Sequence, residues 1–142
     1  MKISLPDVNL LVALLAETHP FQSKSLAWWE GRENHSVAIC RVTQMGMLRV
    51  LTNAKALPAG ACTIPRAWDL VDELLSDQRA FFKHETADVE SIWKQMTKAA
   101  GVGPSAWTDA YLAAFAHRHG FEFVTFDRGF LRWDELALQV LE

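Results

Sequence analysis

Short β-branched and aromatic runs recur along this chain, each separated from the next by segments with helical spacing, and this alternation limits the folds open to it more than any other feature. The runs are residues 2–6, SVAIC at 36–40, RAFFK at 79–83, EFVTF at 122–126 and ALQVL at 137–141. Between them, VNLLVALLAE at 8–17 is Leu- and Ala-rich and reads as a helix. His19-Pro20 breaks it, and residues 21–33 form a second helix carrying Trp28 and Trp29. Met47, Leu48 and Leu51 fall at helical spacing within 43–52, with Thr43 as N-cap. Thr63, followed by Pro65, caps a helix through Leu75. Residues 88–100 make another, ending at Gly101, and Ser105 opens a helix through His119 that Gly120 closes. Residues 53–64 read as an ordered loop. Strands alternating with helices predict an α/β layer fold with a mostly parallel sheet of four to five strands. Right-handed crossovers then place helices on both faces.

A length of 142 residues suits one domain, residues 1–142, able to bury its own core. Half the residues are hydrophobic and 22% are charged, a globular composition. The net charge of -3 argues against a surface coated in positive charge for non-specific nucleic-acid binding, yet leaves room for a local basic groove. Asp7 and Asn9 interrupt the apolar start and argue against a signal peptide. The apolar run Leu10–Ala16 is far below the ~18–20 residues of a membrane span. Two cysteines, Cys40 and Cys62, require no disulfide and suit the cytoplasm.

In parallel sheets, ligands bind at the carboxyl ends of the strands. Three acids meet that rule. Asp7 follows the first strand, Asp127 follows the EFVTF strand, and Asp109 sits in the first turn or so of its helix. Each also has an ordinary explanation: an N-cap for Asp7, a dipole partner for Asp109, an Asx-turn for Asp127. Three acids aimed at one edge repel one another, and need a cation or raised pKa values. An all-oxygen set suits a hard divalent ion, Mg²⁺ or Mn²⁺, and the His and Cys spacing offers no zinc site. Asn9, Thr43, Thr108 and Thr125 are placed to orient these carboxylates or waters around them.

LPDVNLLVALL, VTQMGMLRVL, WTDAYLAAFAHRHG and FVTFDRGF, in this order and over nearly the whole chain, resemble PIN domains, specifically VapC-type toxins of bacterial toxin–antitoxin pairs. The resemblance implies a three-layer α/β/α PIN fold, a homodimer, Mg²⁺- or Mn²⁺-dependent endoribonuclease activity on RNA such as transfer or ribosomal RNA, and neutralisation by a VapB-type antitoxin. It assigns catalytic or metal-binding roles to Asp7, Asp109 and Asp127. Where the family usually carries a Glu at the start of the helix after the second strand, this chain has Gln44. That amide keeps an oxygen but loses a charge, so metal affinity should fall; Asp134 or Glu135 is a candidate to compensate.

Polyanionic RNA approaching an acidic pocket calls for a basic rim. Arg128, Arg41 and Arg49 are the candidate phosphate contacts, with Lys55 and Arg132 also on the proposed side. Arg128 could equally serve a structural ion pair. Of the six tryptophans most read as core or interface; Trp28 and Trp29 are not expected both to face inward, and one of them is left for a dimer or antitoxin contact. His117 and His119 read as favourable to their helix C-terminus. Two alternatives remain: a PIN-fold module that binds RNA or antitoxin without efficient cleavage, and a phosphate-accepting receiver domain. The single acid at Asp7 and the Arg128 after Asp127 disfavour the receiver, which needs an acidic pair and a Lys.

Overall fold

The computed structural model describes residues 1–101 and 103–142. Its strands are β1 (Ser4–Pro6), β2 (Val37–Ile39), β3 (Ala80–Phe82), β4 (Glu122–Thr125) and β5 (Leu138–Val140). The helices are α1 (Val8–Leu15), α2 (Gln22–Glu30), α3 (Arg41–Leu51), α4 (Ile64–Ser76), α5 (Val89–Lys98) and α6 (Ala106–His119), with a 3₁₀ turn over Arg128–Arg132. The five strands form one sheet in the order β3-β2-β1-β4-β5, and every pairing is parallel. The expected α/β architecture is thus present, in its fully parallel form.

Alternation along the strands sorts the core into two halves. In β2, Val37 and Ile39 join the cluster containing Leu10, Leu11, Met47 and Val71 from α1, α3 and α4. Ala38 between them joins Leu112 and Phe115 of α6, with Leu5, Phe123 and Phe130. One layer of helices therefore covers each face, and the inner strands β1 and β2 are buried on both sides, while edge strand β5 stays partly open to solvent. Each fully buried leucine contributes about 1.5–3 kcal/mol. Gly120 closes α6 in the left-handed conformation, with φ 69°, which only glycine adopts without strain. Among the described residues no helix is long and apolar enough to cross a membrane.

The chain leaves β1 outward to β2 and β3, then returns to β4 on the other side of β1. Direction therefore reverses between β1 and β4, which creates a crevice at their carboxyl ends.

Several local expectations are corrected. The helix after β2 begins at Arg41, and Cys40 is its N-cap; Thr43 sits three residues in, where its hydroxyl accepts from the Cys40 amide at 3.1 Å. The turn expected after Asp127 is present as a 3₁₀ turn, and Asp134 and Glu135 lie in an exposed turn beyond it. Trp28 and Trp29 are both buried, at 6% and 7% exposure. Neighbouring helical positions point about 100° apart, too far for one apolar stripe. Guanidinium groups widen the covered arc: Arg32 lies 4.8 Å over the Trp28 ring and Arg79 4.4 Å over Trp29.

Gly46 sets how closely α3 approaches α1. A Cβ there would lie 2.5 Å from a Val8 methyl, and Val8 is β-branched and stiff. Gly46→Ala gains up to about 1 kcal/mol of helix propensity but overpacks this contact by about 1–3 kcal/mol. We expect a net loss on the order of 1 kcal/mol, seen as a lower midpoint in urea with an unchanged slope.

Candidate active site

β1 ends at Pro6, so Asp7 is the first residue beyond the sheet edge and the N-cap of α1. One carboxylate oxygen, Oδ1, accepts from the Val8 amide at 2.8 Å, and Oδ2 accepts from the Thr125 hydroxyl at 2.7 Å. The Asp7 amide donates to the Val124 carbonyl at 2.8 Å, which locks the end of β1 to β4. The Thr125 hydroxyl also accepts from the Asp127 amide at 3.0 Å. Asp127 in turn accepts from the Gly129 amide at 2.8 Å through Oδ1, the Asx-turn that its sequence context suggested. Asp109 is carried in by the first turn of α6, which runs antiparallel to β4 and so starts at the same edge.

The three carboxylates feel one another's charge. Burial, opposed by the Thr125 and Val8 hydrogen bonds and reinforced by Asp109 and Asp127, pushes the Asp7 carboxyl up to about 6. Burial and the charge of Asp127 also raise Asp109, while Arg132 works the other way. The Arg132 guanidinium lies 3.8 Å from Asp109 Oδ2, and also donates to the carbonyls of Gly129 (2.7 Å) and Ala100. Gln44 is buried in the first turn of α3, and its Oε1 accepts from Arg41. Arg41 is steadied by lying 4.7 Å over the Phe82 ring.

The surrounding expectations divide. Thr125 orients two of the acids directly. Asn9 Oδ1 is buried without a hydrogen-bond partner among the described residues. Thr43 is spent on Cys40, its hydroxyl donating to that residue's carbonyl at 3.0 Å. Thr108 is exposed and faces a neighbouring aromatic cleft instead of the acids. Arg128 pairs with Glu142 at 2.7 Å, with both side chains exposed. Arg49 is a correction: it lies roughly 12 Å further along α3 than Arg41, at 1.5 Å per residue, in a groove against α4. The cation that reaches the acids is Arg132, whose role depends on the 3₁₀ turn. His119, in the last turn of α6, packs between Phe115 and Phe121, and burial with the nearby Lys83 and Arg118 lowers its pKa.

A scan against protein-family models matches residues 4–136 to the PIN domain. The chain is a PIN domain. It is 34% identical to Ribonuclease VapC41 of Mycobacterium tuberculosis, an alignment that covers 96% of this chain and 97% of that protein. Among solved structures, VapBC2 from Rickettsia felis, bound to a DNA fragment from its promoter, superposes with a TM-score of 0.70 at 15% identity, covering 99% of both chains. The M. tuberculosis toxin VapC20, described as cleaving the sarcin–ricin loop, gives 0.69 at 18% identity, over 90% of this chain and 92% of that one. These superpositions show the three-layer PIN fold in this chain.

The donors of this PIN domain's acidic crevice are all oxygens, which fits a hard divalent cation. Among the described residues, no three His, Cys, Asp or Glu side chains close into a ready-made metal cage. Magnesium does not need one, because it usually keeps several waters and takes one or two carboxylates plus substrate phosphate oxygens.

The raised pKa of Asp7 has a stability consequence. Folded Asp7 holds its proton up to about pH 6, against an ordinary value of 3.8, so the fold loses stability as pH rises through this window. The difference is on the order of 3 kcal/mol. Asp7→Asn should therefore raise the metal-free unfolding midpoint at pH 7, and flatten its dependence on pH between about 4 and 6. Thermal melts across that range would show it; a variant less stable than the parent at pH 7 contradicts the assignment.

Proposed function

We propose that this PIN domain is a metal-dependent endoribonuclease, the toxin of a toxin–antitoxin pair, acting in the cytoplasm on RNA such as transfer or ribosomal RNA. The supporting observation is the convergence of Asp7, Asp109 and Asp127 at the β1/β4 crevice, with Asp7 held nearly buried at the cost of a raised pKa. The similarity to Ribonuclease VapC41 supports the reaction class.

Asp7, Asp109 and Asp127 would hold Mg²⁺ or Mn²⁺. When bound, such an ion lowers the pKa of water and offsets charge on the phosphate, so no protein nucleophile is required. The chain's own residues hold the geometry. Thr125 and the Val8 amide orient both oxygens of Asp7, and the Gly129 amide fixes Asp127. Arg132 keeps Asp109 nearer its ionised form than burial alone would allow. Arg132, beside Asp109, and Arg41, on the first turn of α3, are the cations that suit an RNA phosphate. For partners, we infer a homodimer and a VapB-type antitoxin. The structural likeness to VapBC2 supports this, as do the exposed Met45, Ile64 and Trp68 of α3 and α4.

One observation favours weak activity over efficient cleavage. The Gln44 amide oxygen is already taken by Arg41, so the fourth position supplies neither charge nor a free acceptor.

Purified protein with RNA and added Mg²⁺ tests both readings. Asp7→Ala or Asp127→Ala should reduce cleavage by at least about 100-fold, the several kcal/mol expected of a lost metal ligand. Gln44→Glu should lower the Mg²⁺ concentration needed for half-maximal rate. If the parent shows no metal-dependent cleavage and Asp7→Ala leaves its growth inhibition unchanged, the nuclease reading is lost.

A further inference from the structure

An aromatic cleft opens at the start of α6, the helix that carries Asp109. Its volume is about 600 Å³, within the ~300–1,000 Å³ of small-ligand sites. One wall is the chain leaving β3, from Phe82 to Glu85; the other is the first turns of α6, with Trp107, Thr108 and Tyr111. Trp93 of α5 and Arg41 of α3 complete it. None of these side chains belongs to the carboxylate cluster, but two of them adjoin residues of the candidate site. Thr108 precedes Asp109 on α6, and Arg41 donates to Gln44.

The aromatic groups are fixed to different degrees. Trp93 donates its indole N–H to the Trp107 carbonyl at 2.9 Å and meets Tyr111 edge-to-face, with ring centroids 5.6 Å apart. Tyr111 donates to Glu85 at 2.5 Å, which holds that carboxylate against α6. Phe82 is covered by Arg41 at 4.7 Å. The Trp107 side chain, by contrast, is 63% exposed on a helix whose other large apolar residues are largely covered. A hydrophobic explanation for such an indole is missing: it contributes little to the core, and it stands at the rim of a cleft carrying Arg41 and Lys83.

We propose that this cleft is the subsite for an unpaired nucleobase of the RNA substrate, stacked on Trp107, with the adjoining phosphate met by Arg41 and Lys83. The inference rests on the ribonuclease reading and adds to it a recognition element for single-stranded RNA. Charge complementarity favours RNA over an apolar peptide as the occupant. A base offers a π-face to the indole, its phosphate offers negative charge to the two cations, and the next phosphate along the strand lies toward Asp109. Stacking of this kind accepts any base, so the preference is for unpaired over paired RNA. Trp107 is here a binding residue, distinct from the acids.

The test measures binding without cleavage. The probe is a fluorescein-labelled single-stranded hexaribonucleotide, with Ca²⁺ as the hard cation, beside a hexamer with abasic positions. Anisotropy titrations would compare the parent, Trp107→Ala and Trp107→Phe. The expected result is a weakening of roughly 5- to 100-fold for Trp107→Ala on the ordinary hexamer. Trp107→Phe should recover most of the affinity, and the variants should bind the abasic hexamer alike. If the parent binds RNA and Trp107→Ala binds it equally well, the subsite is wrong while the ribonuclease reading stands. The subsite is equally wrong if only capture of the neighbouring gene's product is impaired, which would give the cleft to a protein partner. If the parent binds neither hexamer, the ribonuclease reading fails too.

Discussion

The Thr125 hydroxyl is the joint on which the rest of the site depends. It donates to Asp7 Oδ2 at 2.7 Å and accepts from the Asp127 amide at 3.0 Å, joining the ends of the two central strands. Fully buried, it has no water to compete for either bond. Because β1 and β4 flank the point where the chain reverses direction across the sheet, this one side chain positions acids 120 residues apart in sequence. The helices follow from the same arrangement. Asp7 is at once the cap of α1 and an acid of the crevice, and α6 delivers Asp109 because it must return antiparallel before β4 begins.

That arrangement sets stability against charge. An aspartate at a sheet edge open to water would ionise at no cost. Asp7 is nearly buried, and its two hydrogen bonds offset only part of the desolvation. Asp109 and Asp127 add repulsion. Only one arginine, Arg132, approaches an acid of the cluster within 4 Å among the described residues, and it reaches Asp109 alone. The crevice is thus an acidic site with incomplete internal compensation, which is the electrostatic condition for favouring an added cation. Gln44 adds no charge of its own, and its amide oxygen accepts from Arg41.

Much of this was legible from the residues. The alternation of strand and helix segments implied a parallel sheet. The carboxyl-edge rule then selected Asp7, Asp109 and Asp127 from among seventeen acidic residues. What misled was local. Thr43 has the chemistry of an N-cap, but Cys40 already ends β2 in extended backbone, so the helix starts there and Thr43 folds back on it. Arg49 shares a helix with Arg41, yet two turns carry it away from the edge. Trp28 and Trp29 look incompatible on one helix until arginines from just beyond that helix and from the approach to β3 cover them.

By itself, the sequence determined the period of each element, the residues that must leave a strand end as acids, and the absence of a Glu at position 44. Those follow from short-range rules of spacing and backbone preference, which act within a few residues. Tertiary structure alone decided which arginine faces the acids, which carboxylate is buried, and where the aromatic side chains open a cleft. Desolvation, ion pairing and cavity shape depend on groups brought together from distant parts of the chain. Arg132 meets Asp109, and Thr125 meets Asp7, only once the sheet order has been set.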